Sequence, residues 1–127
     1  MKTLTDEQLN AAICELRGWK RSTIQTEWEG WCAPGDDPSL CATPAENLPN
    51  HITGKKALGR MHKAESWLDT QDVNTRSLWL DQLALQCEWP TTKNAAEFRF
   101  EIGYIITRAN ARKRAIALLR VAKPEIF

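Results

Sequence analysis

Residues 48–68, LPNHITGKKALGRMHKAESWL, hold the first candidates for chemistry. His62 and Glu65 stand three apart, so on a helix both can face the same way, as metal ligands sometimes do. His51 could add a third ligand from the preceding loop. A zinc site built from Cys32, Cys41, His51 and His62 would have separations of nine, ten and eleven residues. Structural zinc sites use short, paired spacings instead. No second regularly spaced ligand pair exists, and Lys55, Lys56 and Lys63 crowd the histidines with positive charge. The expectation is therefore no metal and no cofactor, with His62 a surface histidine beside a salt-bridging Glu65. Nucleophilic catalysis fares no better, since His51 and His62 are the two histidines available as base. There is no Gly-x-Ser-x-Gly elbow and no Gly-rich phosphate loop. The adjacent Asp36 and Asp37 lie in a proline-rich stretch, where a solvated turn is the default. A small hydrolase using His62 and Glu65 is kept as a secondary alternative.

The other chemical feature is basic. From Arg108 to Lys123 there are six basic residues and no acidic one. A solvated helix face accounts for such a run. The functional reading is an anion pocket made by Arg108, Arg112, Lys113 and the N–H groups of a capped helix start, with Trp28 or Trp31 stacking on a base.

The elements that must position these residues are legible in part. Thr5 and Gln8 form a capping box, Leu4 can staple onto Leu9, and Leu9, Ala12, Ile13 and Leu16 recur at helical spacing until Gly18 ends the helix. Residues 20–28 alternate, with Ser22, Ile24, Thr26 and Trp28 on one face, which predicts a half-buried strand. The stretch at about 29–50 contains four prolines, two glycines and Trp31, and reads as a long loop with room for an added strand. Thr53 is the expected cap of the next helix, whose stripe is Leu58, Met61, Glu65 and Leu68, with Ala57, Ala64 and Trp67 beside it. A third helix is expected over about 71–87, with Val73, Ser77, Leu80, Ala84 and Cys87 on one face and Trp89-Pro90 as its stop. Residues 97–107 alternate as a strand, and Asn110 can cap a last helix over 111–122. On that helix Ala111, Ala115, Leu118, Leu119 and Ala122 share a third of the circumference, beside a basic face of Arg112, Lys113, Arg120 and Lys123.

Bulk properties bound the remainder. A chain of 127 residues suits one domain. Seventeen basic and sixteen acidic residues give a net charge of +1, which argues against a dedicated nucleic-acid binder. No run is long enough to span a membrane, and MKTLTDEQLN lacks the apolar run of a signal peptide, so the expected location is cytoplasmic. In that compartment Cys14, Cys32, Cys41 and Cys87 are expected as thiols.

Three segments in this order, LNAAICELRGW at 9–19, LPNHITGKKALGRMHKAE at 48–65 and RANARKRAIALLRV at 108–121, resemble the phage ABA-sandwich domain family. Gly18-Trp19, Leu48-Pro49, Met61-His62 and Arg114-Ala115 stand at the family's marks. The matches cover about a third of the chain. Gly54, Lys55 and Lys56 depart from the acidic and asparagine residues of the pattern, and residues 30–47 match none of it. The resemblance implies a helix–sheet–helix fold and a phage or prophage origin, without catalytic residues. The combined expectation is a single α+β layered domain, about four helices on a small sheet. Its expected role is that of a non-enzymatic accessory protein, in the cytoplasm of the host, acting by binding a host protein in counter-defence. The alternative is a homo-oligomer that sequesters a small anionic, nucleotide-like signal.

Overall fold

In a computed structural model that describes residues 3–25, 27–87 and 109–127, helix α1 spans Asp6–Leu16. Its start is the expected capping box: the Gln8 N–H donates to Thr5 Oγ1 at 3.2 Å and the Thr5 N–H to Gln8 Oε1 at 2.9 Å. Asp6 and Glu7 in the first turn complement the helix dipole. The helix ends in a Schellman turn, with the Trp19 N–H donating to the Cys14 carbonyl and the Gly18 N–H to that of Glu15, each at 3.0 Å. Gly18 sits at φ +102°, where a side chain would be strained.

The sheet is small and antiparallel, ordered β1 (Lys20–Arg21), β2 (Gly30–Cys32), β3 (Thr43–Pro44). Arg21 faces Trp31, and Trp31 faces Thr43. The strand expected over 20–28 is thus reduced to its first two residues. Ile24 and Trp28 point to solvent at 38% and 47% exposure, so the alternation there does not mark a buried face. Ser22 turns back instead, and its hydroxyl donates to the carbonyls of Pro38 and Cys41. The stretch read as a long loop with room for one added strand contains two, β2 and β3, and Cys32 and Cys41, expected as thiols, are joined by a disulfide. Their Cα atoms are 5.7 Å apart because the β2–β3 hairpin returns the chain on itself, a juxtaposition that spacing alone does not reveal. Cys14 and Cys87 are free.

Helix α2 (Ala57–Ala64) continues as a 3₁₀ stretch over Glu65–Thr70. Thr53 does not cap it. Asn50 Oδ1 instead accepts from the N–H groups of Ile52 and Thr53 at 2.9 and 3.0 Å, which turns the chain ahead of the helix. Met61, Glu65 and Leu68 form the buried stripe with Ala57 and Ala64, whereas Leu58 lies off it at 42% exposure. Helix α3 (Val73–Gln86) is capped by Asp72, whose carboxylate accepts from the Thr75 N–H at 2.8 Å. Its buried face is Leu83 and Ala84, with Trp79 and Cys87 partly covered; Val73, expected inside, is 67% exposed.

Helix α4 (Ala111–Ala122) starts at the expected Asn110 cap, which accepts from the Lys113 N–H at 2.9 Å. It packs against α1, α2 and α3. Ala115 and Ala117, both fully buried, let neighbouring helices approach closely, and Leu118 and Leu119 fill the space beside them. Leu9, Ile13 and Met61 complete this core, each contributing about 1.5–3 kcal/mol through burial. The fold class is α+β, as expected. The expected strand at 97–107, the Trp89-Pro90 stop and Arg108 lie outside the described residues. No helix among the described residues is long and apolar enough to cross a membrane.

Candidate functional site

One face of α1 stays out of the core and forms the wall of an open groove of about 910 Å³. Asp6, Glu7, Asn10, Ala11 and Glu15 bring it along the whole helix, about 16 Å for eleven residues. Trp31, Leu48, Ile126 and Phe127 add apolar surface, contributed by the sheet, the loop before α2 and the C-terminal segment. Six carboxylates line the groove: Asp6, Glu7, Glu15, Glu29, Glu46 and Glu125. Among the described residues, Arg21 and Lys123 in the lining and Arg112 at its rim stand against them, which leaves three carboxylates in excess.

Three of these carboxylates are already paired. Arg112 Nε donates to Asp6 Oδ1 at 2.9 Å, Lys123 Nζ to Glu15 Oε2 at 2.8 Å, and Arg21 pairs with Glu29. The Arg21 guanidinium also lies over the Trp31 ring, 4.3 Å from its centroid. Glu7, Glu46 and Glu125 are exposed and make no ion pair among the described residues.

The loop wall of the groove is fixed to α1 by a buried polar knot. His51 is fully buried, and its backbone N–H donates to Asn10 Oδ1 at 2.8 Å. Arg17 Nη1 lies 2.9 Å from His51 Nε2. An arginine only donates, so Nε2 accepts and the imidazole proton sits on Nδ1, 2.9 Å from Asn10 Oδ1. Cys14 Sγ lies 3.8 Å from that same Nδ1 and donates to the Pro49 carbonyl at 3.7 Å. Burial, assisted by the charge of Arg17, holds the His51 pKa down to about 4. Burial pushes the Cys14 thiol up to about 11 against the opposing pull of Arg17 and Arg60.

A cysteine beside a histidine is an arrangement used for nucleophilic attack, but this pair is wired differently. The nitrogen nearest the sulfur carries the proton, the other is occupied by Arg17, and the thiol is kept neutral. The knot therefore anchors Pro49–His51. A raised pKa from 9.0 to about 11 lowers the thiolate fraction at pH 8 by about 100-fold. Brief treatment of the native protein with iodoacetamide at pH 8 is accordingly expected to leave Cys14 unmodified by mass spectrometry until denaturant is added; labelling of native Cys14 at the rate of a free thiol would contradict the arrangement.

A second buried pair lies away from the groove. Arg114 Nη1 donates to both carboxylate oxygens of Glu65 at 3.1 Å, and its Nε donates to the Ala109 carbonyl at 3.3 Å. Burial raises the Glu65 pKa, and the Arg114 charge opposes the rise. His62 Nδ1 stands 3.5 Å from Glu65 Oε1 on the exposed side, the surface histidine beside a salt-bridging glutamate that the spacing suggests.

The residues proposed from sequence for an anion pocket do not assemble into one within the described part. Trp31 is a core residue, 1% exposed and covered by Arg21. Arg112 is bound to Asp6 at the groove rim, while Trp28 and Lys113 are not part of the groove lining. Arg108 is outside the described residues. The acidic groove escaped sequence reading because its carboxylates come from α1, the β1–β2 connection, the segment after β3 and the C-terminal turn. The local signal for it is the polar outer face of α1, with Glu7, Ala11 and Glu15 recurring every four residues. No known protein family, curated protein or solved structure matches the chain.

Proposed function

We propose that this protein acts by binding rather than catalysis, as a phage or prophage accessory protein whose partner is a host protein, in the manner of a counter-defence factor. The observation that supports action by binding is the groove along α1, a concave surface of about 910 Å³ with a mixed apolar and polar lining, the composition of a recognition site; the phage origin rests on the sequence resemblance. A protein segment laid along α1 would meet apolar contacts from Leu48, Ile126 and Phe127 and carboxylates on either side. The excess of carboxylates favours such a partner over a small anionic ligand. The host cytoplasm is the proposed location. There the Cys32–Cys41 disulfide would meet a reducing thiol pool. Reduction leaves the hairpin with contacts of its own, because Cys32 Sγ lies 2.9 Å from the Cys41 carbonyl and Cys41 Sγ 3.2 Å from that of Asp37.

Photo-crosslinking in bacterial cells tests this. A benzophenone side chain at Ala11, inside the groove, is expected to give one discrete adduct with a host protein, and the same group at Asp81 on α3, outside the groove lining, is expected to give none. Equal adducts from both positions, or none from Ala11, would contradict the groove as the binding surface.

A further inference from the structure

We infer that the groove along α1 takes a cation-bearing amphipathic segment of a partner protein, with arginine or lysine side chains seated on Glu7, Glu46 and Glu125 and apolar side chains on the floor. The inference rests on the reading of the groove as a binding surface and adds the chemistry of what occupies it. Charge complementarity carries it, since among the described residues the groove sets six carboxylates against Arg21, Lys123 and the rim residue Arg112. The protein also shows how such a seat works. Its own Arg21 lies over the Trp31 ring and pairs with Glu29 at the same time, which combines a cation–π contact with an ion pair. Lys123 on Glu15 and Arg112 on Asp6 repeat the cation–carboxylate part along α1. Glu7, Glu46 and Glu125 are the lining carboxylates that no such internal cation reaches among the described residues.

The floor points the same way. Trp31 lines the groove at 1% exposure, and its indole N–H has no acceptor among the described residues. A buried tryptophan N–H ordinarily has a hydrogen-bond partner. The length of α1 along the groove, about 16 Å, matches a short helical or extended segment better than a single small ion. Exposed ion pairs contribute little one at a time and are screened by salt. Binding through this groove therefore depends on the apolar floor for affinity and on the carboxylates for selection by charge.

The test is fluorescence anisotropy with labelled synthetic peptides composed of arginine, leucine and serine, or with glutamate or glutamine in place of arginine. The arginine peptide is expected to bind and the glutamate peptide not to bind. The Glu7→Gln, Glu46→Gln, Glu125→Gln triple variant should weaken the arginine peptide by about tenfold or more. A control that removes the same charge elsewhere, Asp36→Asn, Asp69→Asn, Asp81→Asn, should leave binding unchanged. Equal loss in both triple variants, equal binding of the glutamate peptide, or displacement of the arginine peptide by spermidine at the peptide's own affinity would overturn the inference. If no peptide binds while the Ala11 crosslink persists, the charge assignment fails and the groove stands; if the crosslink is also absent, both fail. Circular dichroism of each variant confirms that the fold is intact.

Discussion

Replacing Glu65 with leucine is expected to destabilise the protein by about 3–5 kcal/mol, because it removes the buried carboxylate that accepts from the Arg114 guanidinium through both oxygens. Arg114 and Glu65 have side-chain exposures of 4% and 9%, so water cannot take over the solvation that the carboxylate supplies. The Ala109 carbonyl still accepts from Arg114 Nε, but a neutral acceptor does not replace the charge of the lost carboxylate. Removing both charges, as Glu65→Leu with Arg114→Met, is expected to recover most of the loss, since a buried ion pair often contributes little over an apolar pair of similar volume. Urea denaturation with comparison of midpoints and slopes separates these cases. A single-variant cost below about 1 kcal/mol would mean that the pair is solvated.

Acidification supplies the second large effect. The folded His51 pKa is held down to about 4 from an ordinary 6.5. Between those values the unfolded chain binds the proton and the folded protein refuses it, so the stabilising contribution is complete above pH 6.5 and is lost as the pH falls toward 4. The loss from this group alone is about 3 kcal/mol, two to three pK units at ~1.4 kcal/mol each. Carboxylates titrate over the lower part of the same range, so the His51 contribution is the difference between the protein and its His51→Leu variant. His51→Leu is expected to be less stable at pH 7, where Asn10 and Arg17 lose a partner, and to have a flatter stability profile between pH 7 and 4. Identical profiles for the two proteins would show that His51 is not buried in its neutral form. The knot holds Pro49–His51 against α1, so opening it is expected to disturb the Leu48 side of the groove first.

What the sequence discloses and what it conceals divide along chain distance. The capping box at Thr5 and Gln8, the Gly18 ending of α1 and the Asn110 cap of α4 are local, and each is found where local chemistry places it. Alternation misleads at 20–28 because Ile24 and Trp28 are apolar residues that face solvent, while pairing with β2 ends at the Ser22 N–H and the Thr23 N–H turns to the Pro38 carbonyl. The face of α3 is mis-set for a related reason: Val73, Leu78 and Leu85 are exposed, so apolarity alone does not fix which side is inside. The basic run in α4 reads as one stripe, yet Arg112, Arg114 and Lys123 go to three separate acids, Asp6, Glu65 and Glu15. Those partners are 106, 49 and 108 residues away, beyond any spacing argument. His51 illustrates the same limit. Its neighbours in sequence offer it no partner, whereas Asn10 and Cys14 on α1 and Arg17 at the helix C-cap contact it in the fold, where it is fully buried.

Amide chemical-shift mapping tests whether a partner segment seats along α1. Isotope-labelled protein titrated with the arginine–leucine–serine peptide is predicted to show shifts concentrated at Glu7, Ala11, Glu15, Glu46, Leu48 and Phe127. Shifts centred instead on the exposed Val73, Leu78 and Leu85 of α3, or no shifts at saturating peptide, would contradict it.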